Sequence, residues 1–162
     1  MARVVEWLSG RGRTDSNGSV VLQFAREVVE RRRSMQGALN EVRHPAVLDS
    51  LSDDDLRQLD SIIAENAQTH PEYAIILARL THAAARAKGF DRQIVDAALR
   101  LDSLLPLDDP SRERDQLLRD AYVHAQKTGY ARGGRLTLAR LADRALDADD
   151  LERARKFFTQ QL

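Results

Sequence analysis

Leu138-Ala139-Arg140-Leu141-Ala142-Asp143-Arg144-Ala145 is followed, after three intervening residues, by Asp149-Asp150-Leu151-Glu152-Arg153-Ala154-Arg155-Lys156-Phe157-Phe158. In both halves the apolar residues recur three and four apart, which puts them on one face of an α-helix. Leu138 and Leu141 are the large apolar residues of the first helix, and Leu151, Phe157 and Phe158 those of the second. Ala142 and Ala154 are small. At a helix crossing, small side chains let two backbones approach while large ones fill the gaps beside them. The link between the helices is a few residues long, so they lie antiparallel. The segment reads as a helical hairpin.

Working back along the chain, the same helical period recurs and strict alternation is nearly missing, so the fold class is all-α. Asp109-Pro110 pairs a cap with a proline, Leu117, Leu118, Ala121, Tyr122 and Ala125 form an inward stripe, and Gly129 ends that helix. Asp91 opens an earlier helix with Ile94, Val95, Ala98, Leu99 and Leu101 inside, ended by Pro106. Before it, Pro71 sits at a first helical position, Ile75, Ile76 and Leu80 follow, and Gly89 is the stop. Ser52-Asp53-Asp54-Asp55 resembles a capping box, with an acidic first turn that suits the helix dipole. Leu56, Leu59, Ile62 and Ile63 are that helix's buried stripe.

The N-terminal part reads differently. Val4, Val5 and Leu8 mark a short helix, and residues 10–18 form a flexible segment rich in Gly, Ser, Asn and Asp. A long helix then starts at Ser19, with Val21, Phe24, Ala25, Val28 and Val29 inside, and is stopped by His44-Pro45. The expected organisation is a helical region over 1–50 and a helical-hairpin region over 51–162, together one compact domain.

Gly89-Phe90 and Gly129-Tyr130 lie 40 residues apart, and sliding 71–105 onto 111–145 gives seven identities. Recurrence of helix-pair units with glycine stops points to stacked repeats rather than one symmetric bundle. From Arg135 to the end, Leu138, Leu141, Ala142, Ala145, Leu151, Ala154 and Phe158 occupy positions that resemble one tetratricopeptide motif. That resemblance implies a short α-solenoid of stacked antiparallel hairpins, preceded here by the long N-terminal helix, and a role in protein–protein interaction. His82 and Tyr122 stand where the motif takes a small residue, and the 40-residue spacing exceeds that family's usual unit.

Composition narrows the function classes. Lys plus Arg and Asp plus Glu both number 25, so no global positive field exists to grip nucleic acid. Arginine outnumbers lysine 22 to 3, a bias that fits a GC-rich bacterial genome as well as any functional demand. Cysteine is absent, which removes disulfides, thiol nucleophiles and cysteine-ligated metals. The N-terminus lacks the continuous apolar stretch of a signal peptide and no stretch is long enough to span a bilayer, so a cytoplasmic protein away from membranes is expected.

The constellations that could carry chemistry are weak. Glu41-x-x-His44 has the spacing of half a carboxylate-bridged dimetal site, but no second copy faces it. Asp120 and His124 are four apart on one helix, and His82 falls at a similar depth of the preceding hairpin. Such pairs commonly make only a structural hydrogen bond. Gly133-Gly134 lacks the strand and the Gly-Lys-Ser/Thr of a phosphate loop and reads as relief of crowding or a bend. No catalytic residue, metal site or cofactor is expected, and the chain reads as a non-enzyme.

The expected function is an adaptor that docks a peptide or partner helix on a concave helical face, with apolar pockets for affinity and arginines for orientation. Arg79, His82, Arg86, Arg119, Tyr122 and Gln126 are the candidate partner-binding residues. The alternative is a helical accessory subunit of a nucleic-acid complex, using the basic cluster Arg26, Arg31, Arg32 and Arg33. A helix-turn-helix over 136–158, with Arg153, Arg155 and Lys156 on the recognition helix, is a variant of it. The acidic Asp147, Asp149, Asp150 and Glu152 at that helix's start argue against the variant. Self-association is a further expectation, because Phe157 and Phe158 need cover.

Overall fold

The protein is described by a computed structural model that covers residues 52–106 and 113–160, with the isolated helical positions Glu27 and Gly37. The expected short first helix, the 10–18 segment, the rest of the long N-terminal helix, His44-Pro45 and the Asp109-Pro110 device lie outside the described residues. Within them the ordered elements are all helices: α1 (Asp53–Asn66), α2 (Pro71–Lys88), α3 (Asp91–Leu104), α4 (Glu113–Thr128), α5 (Ala131–Asp147) and α6 (Leu151–Thr159). None of these helices is long and apolar enough to cross a membrane. The chain divides into two compact units, residues 1–88 and 89–162.

In the first unit, α1 begins as its sequence dictates. The Ser52 hydroxyl oxygen accepts the Asp55 N–H at 3.1 Å, and the Asp55 carboxylate accepts the Ser52 N–H at 2.8 Å. That reciprocal pair is a capping box, and Asp53, Asp54 and Asp55 together place negative charge on the positive end of the helix. Leu56, Leu59 and Ile63 turn inward and α1 packs against α2. Pro71 is the first residue of α2, where its missing N–H leaves no bond unmade.

In the second unit, each helix packs on its sequence neighbour, and α5 also packs on α3. Val95, Leu99, Leu118, Ala125 and Leu141 form one buried cluster, with Tyr130 and Phe157 packed against its edge. The two glycine–aromatic pairs have nearly the same backbone. Gly89 and Gly129 have φ of +67° and +65°, and Phe90 and Tyr130 follow with ψ of 77° and 75°. The ends of α4 and α5 then show the reason for the device. Tyr130 N–H donates to Ala125 C=O at 2.9 Å and Gly129 N–H to Gln126 C=O at 3.2 Å, satisfying carbonyls that the ending helix leaves open. Asp150 N–H to Ala145 C=O and Asp149 N–H to Leu146 C=O repeat those bonds at the end of α5, with Asp149 at φ +57° where the α2–α3 and α4–α5 turns use glycine.

One expectation shifts and another holds. Leu138, Leu141, Ala142, Ala145 and Ala154 are buried as the hairpin reading requires, but Leu151 and Phe158 are 64% and 44% exposed. They lie open on α6, in a trough shared with Leu146 at the end of α5. Gly133 does relieve crowding: a Cβ there would lie 2.5 Å from the Tyr130 ring and 2.8 Å from Val95 Cγ1 of α3.

Candidate interaction surface

The charged groups inside the second unit bind helices to one another. Asp102 of α3 is 2% exposed, and its carboxylate accepts from Arg114 Nε of α4 at 2.9 Å and from Arg140 Nη1 of α5 at 2.8 Å. Arg114 is itself buried and also donates to the Pro106 carbonyl at 3.1 Å. Asp115 of α4 repeats the arrangement one helix further on. It accepts from Arg144 Nε of α5 at 2.7 Å and from Arg153 Nη2 of α6 at 2.8 Å. Burial alone would raise the Asp115 pKa; the Arg144 and Arg153 guanidiniums outweigh it and hold the carboxyl below its ordinary value. One carboxylate thus ties its own helix to the next two along the chain, twice. Sequence reasoning singled out none of these residues except Arg153, which it placed on a recognition helix. The available signal was a charge on an apolar stripe, since Asp102 follows Ala98 by four residues and Arg114 precedes Leu117 and Leu118 by three and four.

The open end of the α3–α4 pair is fastened similarly. His124 Nδ1 lies 2.6 Å from Asp91 Oδ1, and Lys127 Nζ lies 3.1 Å from Asp91 Oδ2. The His124 hydrogen bond, followed by that of Lys127, holds the Asp91 carboxyl below its ordinary range. Asp120, four residues before His124, accepts from Gln116 Nε2 at 2.8 Å. Among the described residues no group of three or more potential metal ligands converges. Tyr130 hydroxyl donates to Asp96 Oδ1 at 3.0 Å, and Arg92 lies 5.7 Å from the centre of its ring. Burial, reinforced by that carboxylate, pushes the Tyr130 phenol up.

The expected partner-binding residues fall into two sets. Arg79, His82 and Arg86 are spaced three and four apart on α2, in the first unit, with Arg86 exposed and the other two half-buried. Arg119, Tyr122 and Gln126 have the same spacing on α4, in the second unit. There the structure joins them into one stripe. Gln126 Nε2 donates to the Tyr122 hydroxyl at 2.9 Å, and Arg119 reaches along the helix to Asp115 at 3.9 Å. Val123, which the sequence reading passed over, sits in this stripe and is 60% exposed. The basic cluster Arg26, Arg31, Arg32 and Arg33 lies outside the described residues. Arg153, assigned to a recognition helix in the helix-turn-helix reading, is engaged by Asp115 and lies 5.7 Å from the centre of the Phe157 ring.

A second surface has no counterpart in that set. Leu146, Leu151, Ala154, Arg155, Phe158 and Thr159 line an open trough of about 380 Å³ along α6 and the end of α5. Three of the five exposed large hydrophobic residues among those described lie in it.

Comparison of the chain with protein-family models, with curated proteins and with solved structures returns no match.

Proposed function

We propose that the protein is a non-catalytic interaction module, a short stack of helical hairpins that docks a peptide or partner helix on exposed, arginine-bearing helix stripes. The observation that carries this reading is the outer stripe of α4. Arg119, Val123 and Gln126 stand exposed at helical spacing, with the half-buried Tyr122 fixed beside them by Gln126. An apolar side chain and an aromatic ring flanked by an arginine are what a docked helix or peptide uses for affinity and orientation. The stacked-hairpin architecture is supported by the packing of α5 on both α4 and α3, with α6 on α5. It is supported further by two carboxylates that each bridge three successive helices. A tetratricopeptide-like unit over 135–162 fits the burial of Leu138, Leu141, Ala142, Ala145 and Ala154.

The test is affinity capture from the source organism with the wild-type chain and with Arg79→Ala, Arg119→Ala and Val123→Asp. Circular dichroism confirms that helix content is kept in each. A protein retained by the wild type and lost by the Arg119 and Val123 variants supports docking on α4, and a protein lost by Arg79→Ala supports a separate docking stripe on α2. A capture pattern identical for all four chains overturns the reading.

A further inference from the structure

We propose that Arg119 and Arg153 compete for one oxygen of Asp115, and that this competition sets how readily α6 lifts from the unit as a strap. Arg153 Nη2 of α6 lies 2.8 Å from Asp115 Oδ2, and Arg119 Nη2 of α4 lies 3.9 Å from the same oxygen. The other oxygen, Oδ1, accepts from Arg144 Nε of α5 at 2.7 Å. Arg153 therefore holds the place that Arg119 fills when α6 leaves. Arg119 stands four residues after Asp115 on the same helix, the acidic residue first, which is a favourable spacing and order for an intrahelical ion pair.

The packing lets α6 open without its neighbours. Of its 9 residues only Ala154 is buried, and Phe157 is half-buried at the edge of the core cluster. Among the described residues, its one side-chain hydrogen bond to another helix is that of Arg153. A helix this short is marginal in water once undocked, so lifting it also unwinds it. The rest of the unit keeps its fastenings. Val95, Leu99, Leu118, Ala125 and Leu141 all belong to α3, α4 and α5, as do Asp102 and its two arginines, and Arg144 still ties Asp115 to α5. Arg119 favours the open state in two ways: it repels Arg153 while α6 is docked, and it takes over Asp115 Oδ2 once α6 has gone. Arg119 also belongs to the α4 stripe, so a partner that engages it there withdraws the competitor and holds α6 down. That consequence rests on docking at α4; the experiment needs no partner, so the two readings fail separately.

The experiment is hydrogen exchange of the full chain alone, read by mass spectrometry on peptides covering 151–160 and 131–147 and corrected for intrinsic rates. In the wild type, 151–160 is expected to exchange faster than 131–147. Arg153→Gln should speed 151–160 roughly 2- to 10-fold and leave 131–147 unchanged. Arg119→Gln, which keeps a good helix former at an exposed position, should slow 151–160 about 2-fold. In the Arg153→Gln background the same Arg119→Gln change should have no effect on 151–160, because no rival is left on the oxygen. A surface arginine with no part in the latch would leave 151–160 unmoved in both backgrounds. Equal protection of the two peptides in the wild type overturns the strap, as does an Arg153→Gln chain in which both peptides speed up by the same factor. An Arg119→Gln chain that leaves 151–160 unchanged, speeds it, or slows it equally in both backgrounds overturns the competition.

Discussion

Replacing Gly133 by alanine, with Gly134→Ala as its control, tests whether close approach of α3 and α5 holds the second unit together. Both glycines are buried in the first turns of α5, and both should gain up to about 1 kcal/mol from the better helix propensity of alanine. Their surroundings differ. A Cβ on Gly134 would make ordinary contacts, 3.7 Å from Ala125 Cβ and 3.9 Å from the Tyr122 ring. A Cβ on Gly133 would lie 2.5 Å and 2.6 Å from two Tyr130 ring carbons and 2.8 Å from Val95 Cγ1. Val95 is fully buried in the core cluster, and the Tyr130 ring cannot swing aside without giving up its hydrogen bond to Asp96. Overpacking of this kind costs about 1–3 kcal/mol. Propensity is common to both variants and cancels in the comparison. The amides of α5 should therefore exchange roughly 5- to 150-fold faster in Gly133→Ala than in Gly134→Ala. Hydrogen exchange read by mass spectrometry on peptides covering 131–147 reports this helix alone, which a whole-chain melting curve would blend with the first unit. Equal protection in the two variants would refute the packing argument.

Three other outcomes follow from the same geometry. Asp149→Gly relieves a left-handed backbone position held by a side chain and should add about 0.5–1 kcal/mol to stability in urea titrations, whereas Gly129→Ala should lose about 1 kcal/mol. Asp102→Ala strands the buried Arg114 and should cost about 3–5 kcal/mol, with the Asp102→Ala/Arg114→Ala double variant losing less than the sum of the singles in a double-mutant cycle. Asp115→Asn should cost about 1–2 kcal/mol at neutral pH. The folded pKa of Asp115 is below its ordinary value of 3.8, so its contribution is fully present above that value and is lost as the pH falls through the lower, folded one. Urea titrations at neutral and at acidic pH should show the gap between wild type and Asp115→Asn narrowing on the acid side.

Much of the local structure was legible in the residues because it depends on neighbours in the chain. Ser52 and Asp55 close a capping box whatever lies beyond them, and Pro71 opens α2 because proline fits only a first turn. Gly129 ends α4 because the next bond pattern needs a left-handed residue. The loop at Asp149 was harder to see, since the same conformation is there without glycine to mark it. Of the α4 stripe, Arg119, Tyr122 and Gln126 were visible from spacing; Val123 was not, because an apolar residue on a helix reads as core until burial is known.

The sequence by itself determined the helical period, the stops and the small residues at Ala142 and Ala154, all properties that act over a few residues. Only the tertiary structure decided that Asp102 and Asp115 each hold three helices, because a carboxylate meets an arginine across 12 to 38 residues through packing and not through spacing. Tertiary structure also decided the fate of α6. Leu151 and Phe158 have the pattern of a buried face, yet a pattern states only which side of a helix is apolar. Whether that side is covered depends on the helix that comes to lie against it, and among the described residues of this unit none does, so Leu151 and Phe158 are exposed.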